Sequence, residues 1–215
     1  MKKPKDVEFI TRHYNLFFWW INERERIRQA KVAGKPFPWT RDPILQTYKF
    51  TNVFRRQDRT TRDMVERVRD YRNQPVQLYN HINTFRLFNW TETYDAIYHW
   101  IGSGEWDEIE ACLNQRKARG KQLWTGAYMI HASPGAKVDK VADYIRTAKK
   151  MWEEAEDVVA VIKHDNTLEA CVATLQRYNH VGPFIAYELA CDYSYFKHLL
   201  ADCTDRYTWA NTGPG

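Results

Sequence analysis

The chain has 215 residues, of which 44% are hydrophobic, so it is long enough to bury one sizeable core or two lobes that share a cleft. Its 32 Lys and Arg exceed its 27 Asp and Glu, and the net charge of +5 fits a polyanionic partner and an ordinary protein surface equally well. No apolar run approaches the roughly 18 residues of a membrane span, and the lysine-rich start is followed by no apolar signal core. We therefore expect a cytoplasmic protein with no membrane partner.

The sequence also argues against a metal-binding protein. The four cysteines stand too far apart for a zinc site or an iron–sulfur loop. The seven histidines show no metal-ligand spacing with a second His or Cys. The sequence predicts reduced thiols and no transition metal.

Apolar residues recur at helical spacing along almost the whole chain, and strand-like alternation is confined to residues 123–130. An all-α fold follows, in one domain over residues 1–215. Glycine and proline residues mark the ends of the helical segments. The predicted helices are 5–31, 42–57, 60–72, 75–88, 92–102, 105–118, 137–157, 166–178, 183–192 and 194–201. The glycine-rich turn at 211–215 connects to nothing, so we expect the natural protein to continue after residue 215.

The first predicted helix carries an apolar stripe that runs into two arginines. The stripe consists of Ile10, Tyr14, Phe17 and Ile21. Arg24 and Arg28 continue the same face, and a desolvated guanidinium needs an anionic partner. They either pair internally, with Glu23 or Asp58 as candidates, or point into a charged cleft. The aromatic residues 18–20 are more typical of a core than of a base-stacking platform.

Residues 38–59 form the densest polar and aromatic stretch. Asp42 suits a helix N-cap and Pro43 suits the first turn, which places the following residues on a predicted helix. One face of that helix would carry Tyr48, Asn52, Arg55 and Arg59. The Asn52 amide can read a base edge, and arginines can neutralise phosphate oxygens. The alternative is a solvated basic face, but Asn52 and Thr51 have poor helix propensity in mid-helix, which favours a functional role.

A helix, a tight turn and a second helix are predicted for residues 166–192. Gly182 permits the turn, Pro183 begins the second helix, and Ala186 lets the helices approach. The backbone at His180, Val181 and Gly182 would then face one DNA phosphate, although any pair of antiparallel helices shares some of these features.

Two aspartates follow this hairpin. Asp202 lies twenty residues beyond Gly182, and Asp205 follows closely. Either is a candidate general base, and a pair of solvated loop aspartates is an equal alternative.

These stretches resemble the helix-hairpin-helix DNA glycosylase superfamily twice. Residues 42–55 match the early helix before the base pocket, and residues 175–202 match the hairpin with its catalytic aspartate. The resemblance implies two helical lobes around a cleft, a flipped nucleotide beside Asp202 or Asp205, and room for a monovalent cation at the hairpin carbonyls. Phe184 stands at the position of the lyase-type lysine, which argues against a Schiff-base mechanism.

Most of the chain is also similar to the α-glutamyl/putrescinyl thymine pyrophosphorylase group, whose helical domain is found with 5-hydroxymethyluracil DNA kinases. The motifs that carry this similarity are Pro38-Trp39-Thr40, residues 49–53, Arg55 with Asp58-Arg59, residues 125–128, residues 181–184, and Trp209 with Gly213-Pro214-Gly215. The resemblance implies phage-type DNA hypermodification, in the host cytoplasm if the protein is phage-encoded. An amine or amino acid would replace the pyrophosphate of 5-(pyrophosphooxymethyl)uracil in double-stranded DNA.

The implied transferase needs three kinds of residue. The cationic groups Lys49, Arg55, Arg59, Arg24 and Arg28 would neutralise the leaving group, with Thr51 and Asp58 close by. Asp202 or Asp205 would accept the amine proton. Asn52 would hold the uracil edge, with Tyr128 or Trp209 stacked on the ring.

Two rival functions remain. One is a glycosylase for a modified pyrimidine, which would leave abasic sites. The other is a non-catalytic DNA-binding domain that serves a DNA-base kinase as its partner. The sequence has no phosphate-binding loop that ends in Gly-Lys-Ser/Thr, so it is not predicted to be a P-loop kinase itself.

Overall fold

A computed structural model describes residues 4–126 and 139–210, and every regular element in these ranges is helical, which confirms the all-α prediction. The α-helices are α1 (Pro4–Val32), α2 (Pro43–Thr47), α3 (Arg59–Arg67), α4 (Pro75–Phe88), α5 (Thr91–Ile101), α6 (Trp106–Ala118), α7 (Lys140–Glu153), α8 (Ala155–Asp165), α9 (Leu168–Leu175) and α10 (Pro183–Tyr193). Two short 3₁₀ helices span Arg55–Gln57 and Arg69–Tyr71. None of the described helices is long and apolar enough to cross a membrane.

Four predicted helices differ from the structure. The predicted helix 42–57 is wrong, because α2 ends at Thr47 and its C-cap Tyr48 is extended, with φ −94° and ψ 139°. The predicted helix 137–157 is divided at Glu154, after which α8 continues to a left-handed cap at Asn166. Residues 194–201 form turns rather than a helix. The predicted helix 60–72 is interrupted as well, since α3 ends at Arg67 and the 3₁₀ helix Arg69–Tyr71 follows. The part of α8 after residue 157 was not predicted, and the remaining helices lie close to their predicted positions.

The described chain divides into two compact units, residues 1–62 (unit 1) and 63–215 (unit 2). In unit 1, the last turns of α1 are covered: Ile27 and Ala30 are buried, and so is Leu45 of α2. Glu23 of α1 accepts a hydrogen bond from Thr40, and Glu25 accepts one from Gln57 at 3.1 Å. These side-chain bonds hold the segment 33–57 against the second half of α1.

The apolar stripe expected to be buried on α1 is exposed. Ile10 is 48% exposed, Tyr14 62% and Phe17 53%. Phe18 and Trp19, also expected in a core, are 43% and 46% exposed. Helical periodicity alone could not show this, because it identifies an apolar face without saying what covers it.

Unit 2 is built around α4, which is buried from Leu78 to Phe88 and packs against α5, α7, α8 and α10. Inside this core, Arg86 is 1% exposed and forms a two-pronged ion pair with the fully buried Asp192 of α10. A third bond runs from Arg86 to Asn89 at 2.8 Å. The network joins α4 to α10 and satisfies a guanidinium that would otherwise be buried at great cost.

Helices α9 and α10 pack against each other and are joined by residues 176–182. His180 adopts a left-handed φ of 64°, and Gly182 caps α10 with Pro183 in its first turn. This helix order agrees with the predicted hairpin. Membership in the glycosylase superfamily and the single-domain organisation stay predictions.

Candidate functional site

The best-defined cavity of unit 1 lies between the second half of α1, helix α2 and the extended segment 48–53, and has a volume of about 300 Å³. Four cationic side chains line it, together with polar and aromatic groups. The lining residues are Arg24, Ile27, Arg28, Lys31, Trp39, Leu45, Gln46, Thr47, Tyr48, Lys49, Phe50, Thr51, Asn52 and Val53. None of these residues is an aspartate or glutamate. The cavity therefore suits an anion.

The local sequence explains why the segment returns to α1. The Asp42 carboxylate accepts a hydrogen bond from the Leu45 amide at 2.9 Å, and Pro43 occupies the first turn, so the N-terminus of α2 is stabilised at this point. The helix lasts for only five residues, and the chain then runs extended from Tyr48. This extended run places residues 48–53 along one wall of the cavity, opposite α1.

Arg24 fixes this wall. Its guanidinium donates to the backbone carbonyl of Thr51, and it lies 3.3 Å from the Thr51 hydroxyl. It also lies over the Trp20 ring at 4.2 Å and near the Phe50 ring at 5.6 Å. Arg24 does not form the ion pair with Glu23 or Asp58 that the sequence allowed, and its partners here are neutral.

Arg28 is the one cation of the cavity whose charge is balanced by a nearby carboxylate. It donates to both carboxylate oxygens of Glu25, at 2.7 and 2.9 Å. The hydrogen bond from Arg28 is the largest cause that lowers the pKa of Glu25 to about 2, and the amides of Gln57 and Gln29 add to it. Glu25 therefore stays ionised and holds Arg28 in place.

The other two cations are less constrained. The Lys31 ammonium lies 4.7 Å from the centre of the Trp39 ring. Lys49 is exposed and has no ion pair within the described part of the chain. With Arg24, they give the cavity three cationic groups without a carboxylate partner.

Five of the predicted site residues meet in this cavity, namely Arg24, Arg28, Lys49, Thr51 and Asn52. Asn52 lies on the extended segment rather than in a helix, so the argument from helix propensity was wrong. Its amide nitrogen donates to the Gln57 carbonyl at 3.1 Å, which fixes its orientation.

The remaining predicted residues of unit 1 do not line the cavity. Asp58 caps α3, since its carboxylate accepts hydrogen bonds from the Thr60 hydroxyl at 2.5 Å and the Thr61 amide at 3.1 Å. Arg55 begins the 3₁₀ helix and Arg59 begins α3. Asp58 therefore has a capping role in the structure, and its predicted substrate-binding role stays a prediction.

Asp205 has a structural role in unit 2. Its two carboxylate oxygens accept hydrogen bonds from the first amides of α9, Leu168 at 2.7 Å and Glu169 at 3.0 Å. One lone pair of each oxygen is therefore used to cap α9, which gives Asp205 a structural role, and its predicted role as a general base stays a prediction. Asp202 is exposed, and its backbone carbonyl accepts a bond from Asn166 at 3.0 Å.

The hairpin residues are also partly occupied. The His180 ring lies 2.8 Å from the Asp143 carboxylate and stacks on Tyr144, and its side chain is 3% exposed. The amide of buried Val181 donates to the Tyr178 carbonyl at 3.2 Å. The Val181 amide and the His180 ring are thus already used within unit 2, and Gly182 is the exposed member of the three.

Of the two residues predicted to stack on the base, the structure describes one. Tyr128 lies outside the described residues. Trp209 is partly buried and packs edge-on to Tyr187 at 5.9 Å. Asn52 and Arg55 belong to unit 1 and Asp202 and Trp209 to unit 2, and each set is described within its own unit.

The cavity also contains Lys31, which the sequence analysis did not single out, and Trp39 and Tyr48, which it named without a binding role. Lys31 carried a usable signal, because residues 24, 28 and 31 are spaced as one face of a helix. Trp39 had no such signal, since its place depends on the loop from 33 to 42. No group of three or more potential metal ligands occurs within residues 4–126 and 139–210.

Together, the described elements define an all-helical domain with a basic cavity whose lining contains no carboxylate. Residues 11–215 match the family described as the helical domain of 5-hmdU DNA kinase, and the chain belongs to this family. This confirms the family resemblance read from the sequence motifs. No solved structure matches the chain.

One curated relative is a 5-hmdU DNA kinase of Bacillus phage SP10. It is 30% identical over 237 residues, which cover 98% of this chain and 36% of the relative. The chain thus spans about a third of the length of this relative.

Proposed function

We propose that this domain binds a pyrophosphorylated 5-hydroxymethyl group on a uracil base in DNA, and that an amine then replaces the pyrophosphate. The observation that carries the proposal is the unit 1 cavity, which has four cationic side chains and no carboxylate in its lining. The family supports the proposal, because the relative is named for a kinase that acts on 5-hydroxymethyldeoxyuridine in DNA. Such a kinase would supply the phosphorylated base.

The charges of the cavity fit pyrophosphate. Arg24, Lys31 and Lys49 are not paired with a carboxylate, so they would meet the oxygens of a highly charged anion. Trp39 and Tyr48 offer aromatic faces for the pyrimidine ring, and Asn52 offers its amide to the uracil edge. A volume of about 300 Å³ lies at the small end of ligand pockets, as a single base substituent requires.

The proposed reaction is a nucleophilic substitution at the methylene carbon. The amine nitrogen forms a bond to the methylene carbon at C5, the carbon–oxygen bond breaks, and its electron pair leaves with the pyrophosphate. The cavity cations would stabilise the charge that develops on the leaving oxygen. The amine nitrogen gives up one proton, which passes to a base in the surrounding solvent. Asp202 is described within unit 2, and its role as a general base stays a prediction.

The test is an assay of duplex DNA that carries 5-(pyrophosphooxymethyl)uracil, incubated with the protein and a panel of amines, followed by mass spectrometry of the nucleosides. Lys49→Gln should lower the rate by about 10- to 100-fold, the range for loss of a charge-assisted contact of about 1.5–3 kcal/mol. Arg41→Gln is the matched control, since Arg41 is an exposed cation of unit 1 outside the cavity. Equal loss in both variants would reject the cavity as the site.

A second function is favoured by the match itself, which covers the helical domain of a kinase family and about a third of one kinase. In this alternative, the domain holds the modified base while a kinase region transfers phosphate to it. Tight binding of the phosphorylated DNA without any amine adduct, together with stimulation of a kinase added in trans, would select this alternative.

A further inference from the structure

A second basic surface lies in unit 2. It is a groove of about 340 Å³ between the 3₁₀ helix Arg69–Tyr71 and the turns that follow α10. Arg69, Arg72, Asn73, Lys197 and His198 contribute its polar rim, and Glu66 is its one acidic member. We name this surface the 69–72/195–198 groove.

The floor of the groove is apolar and held in place. Phe196 is 8% exposed, and Tyr195 and Val65 pack against the core of unit 2. Arg206 donates to the backbone carbonyls of Ser194 and Ala201, both at 3.0 Å, and so ties the turns together. These contacts fix the residues that form the floor of the groove and the turns beside it.

The rim carries cations that the described parts of the chain do not neutralise. Glu66 pairs with Arg69 at 2.9 Å, which leaves that arginine locally balanced. Arg72 and Lys197 are exposed and have no ion pair within residues 4–126 and 139–210. They are therefore ready to bind an external anion.

The basic surface is long enough to contact more than one phosphate group. Arg69, Arg72 and Asn73 also line an adjoining cavity of about 270 Å³, together with the exposed Asp70, so these three side chains face two neighbouring spaces. An extended ligand with regularly spaced negative charges and less polar sections between them matches this pattern. The sugar–phosphate backbone has both features, because phosphates alternate with sugars that can pack on an aromatic floor.

We propose that the 69–72/195–198 groove binds the sugar–phosphate backbone of DNA and positions the duplex while the modified base is bound elsewhere. The inference rests on the proposed function only in taking DNA as the substrate. Arg72 and Lys197 would each contact a phosphate, and Tyr195 would pack against the intervening sugar. Such contacts carry no base specificity.

The test measures binding of a fluorescent, unmodified duplex by anisotropy across a series of NaCl concentrations. Each phosphate contact contributes about 0.9 to the slope of log K against log salt, so the double variant Arg72→Gln/Lys197→Gln should lower the slope by about two. The matched control is Lys149→Gln/Lys163→Gln, which removes the same charge from exposed positions of α7 and α8. The variant Arg72→Lys/Lys197→Arg should keep the slope.

An unchanged slope in the groove variant, or an equal drop in the groove and control variants, would overturn the proposal. Because the duplex carries no pyrophosphoryl group, this result does not depend on the unit 1 cavity. Circular dichroism of each variant verifies that a lost contact is not a lost fold.

Discussion

Replacing Asp205 separates a structural role from a catalytic one. Its carboxylate accepts two hydrogen bonds from the first amides of α9, and its backbone carbonyl accepts bonds from the Thr208 amide at 3.0 Å and the Trp209 amide at 2.9 Å. Asp205→Ala removes the two side-chain bonds and keeps the two backbone ones. The two amides at the start of α9 would then lose their protein acceptors.

The magnitude follows from these contacts. Loss of a helix cap costs about 0.5–2 kcal/mol, and two hydrogen bonds at about 1 kcal/mol each give a total of about 2 kcal/mol. In a unit of about 150 residues, this lowers the Tm by about 4–8 °C. Asp205→Asn keeps one acceptor oxygen and should cost about half as much.

The assay combines thermal unfolding with the amine-transfer rate measured well below the Tm. We expect Asp205→Asn to be destabilised and to keep most of its rate, whereas Asp202→Asn should keep its Tm because the Asp202 side chain is exposed. A stable Asp205→Asn protein that is inactive would refute the capping argument and support Asp205 as the general base.

The remaining predictions concern charge and burial. Burial lowers the pKa of His81 to about 4, so the unfolded chain takes up a proton at a higher pH than the folded chain does. The free energy of unfolding of unit 2 should therefore fall by up to about 3 kcal/mol as the pH drops from 6.5 to 4. His81→Leu should remove most of this pH dependence, measured by urea unfolding. The pKa of Glu25 is lowered to about 2, chiefly by its hydrogen bond from Arg28. The stabilisation that Glu25 gives to the folded state is therefore present above pH 4.5 and lost as the pH falls towards 2, and it amounts to about 1 kcal/mol after solvent screening. Glu25→Gln should remove this pH dependence. Arg86→Met leaves Asp192 buried without its ion pair and should cost about 3–5 kcal/mol, measured as a lower urea midpoint, and an unchanged midpoint would contradict the described network.

Much of the fold was predictable because its signals are local. Helix α4 begins at Pro75 and ends at Phe88, as its proline and apolar spacing predicted. The helix predicted over 42–57 failed because Asp42 and Pro43 specify where a helix starts but not where it stops. The chain from Tyr48 leaves the helix although no glycine or proline marks the place.

The site was partly predictable for the same reason. Arg24, Arg28 and Asn52 were found by residue type, and the structure brings them to one cavity. Asp205 shows the limit of sequence reasoning, because a carboxylate that caps a helix distant in sequence looks like a free acid, whereas Asp58 caps α3, which begins at the next residue. The bonds of Asp205 join residues separated by 36 and 37 positions, and no local pattern reports such a contact.

The central claim is that the unit 1 cavity recognises a pyrophosphoryl group on DNA. The most direct measurement compares the affinity for two duplexes that differ only in carrying 5-(pyrophosphooxymethyl)uracil or 5-hydroxymethyluracil at one position. We predict tighter binding of the pyrophosphorylated duplex by the wild-type protein and by Arg41→Gln, and loss of that preference in Lys49→Gln. Equal affinity of the wild-type protein for both duplexes would contradict the claim.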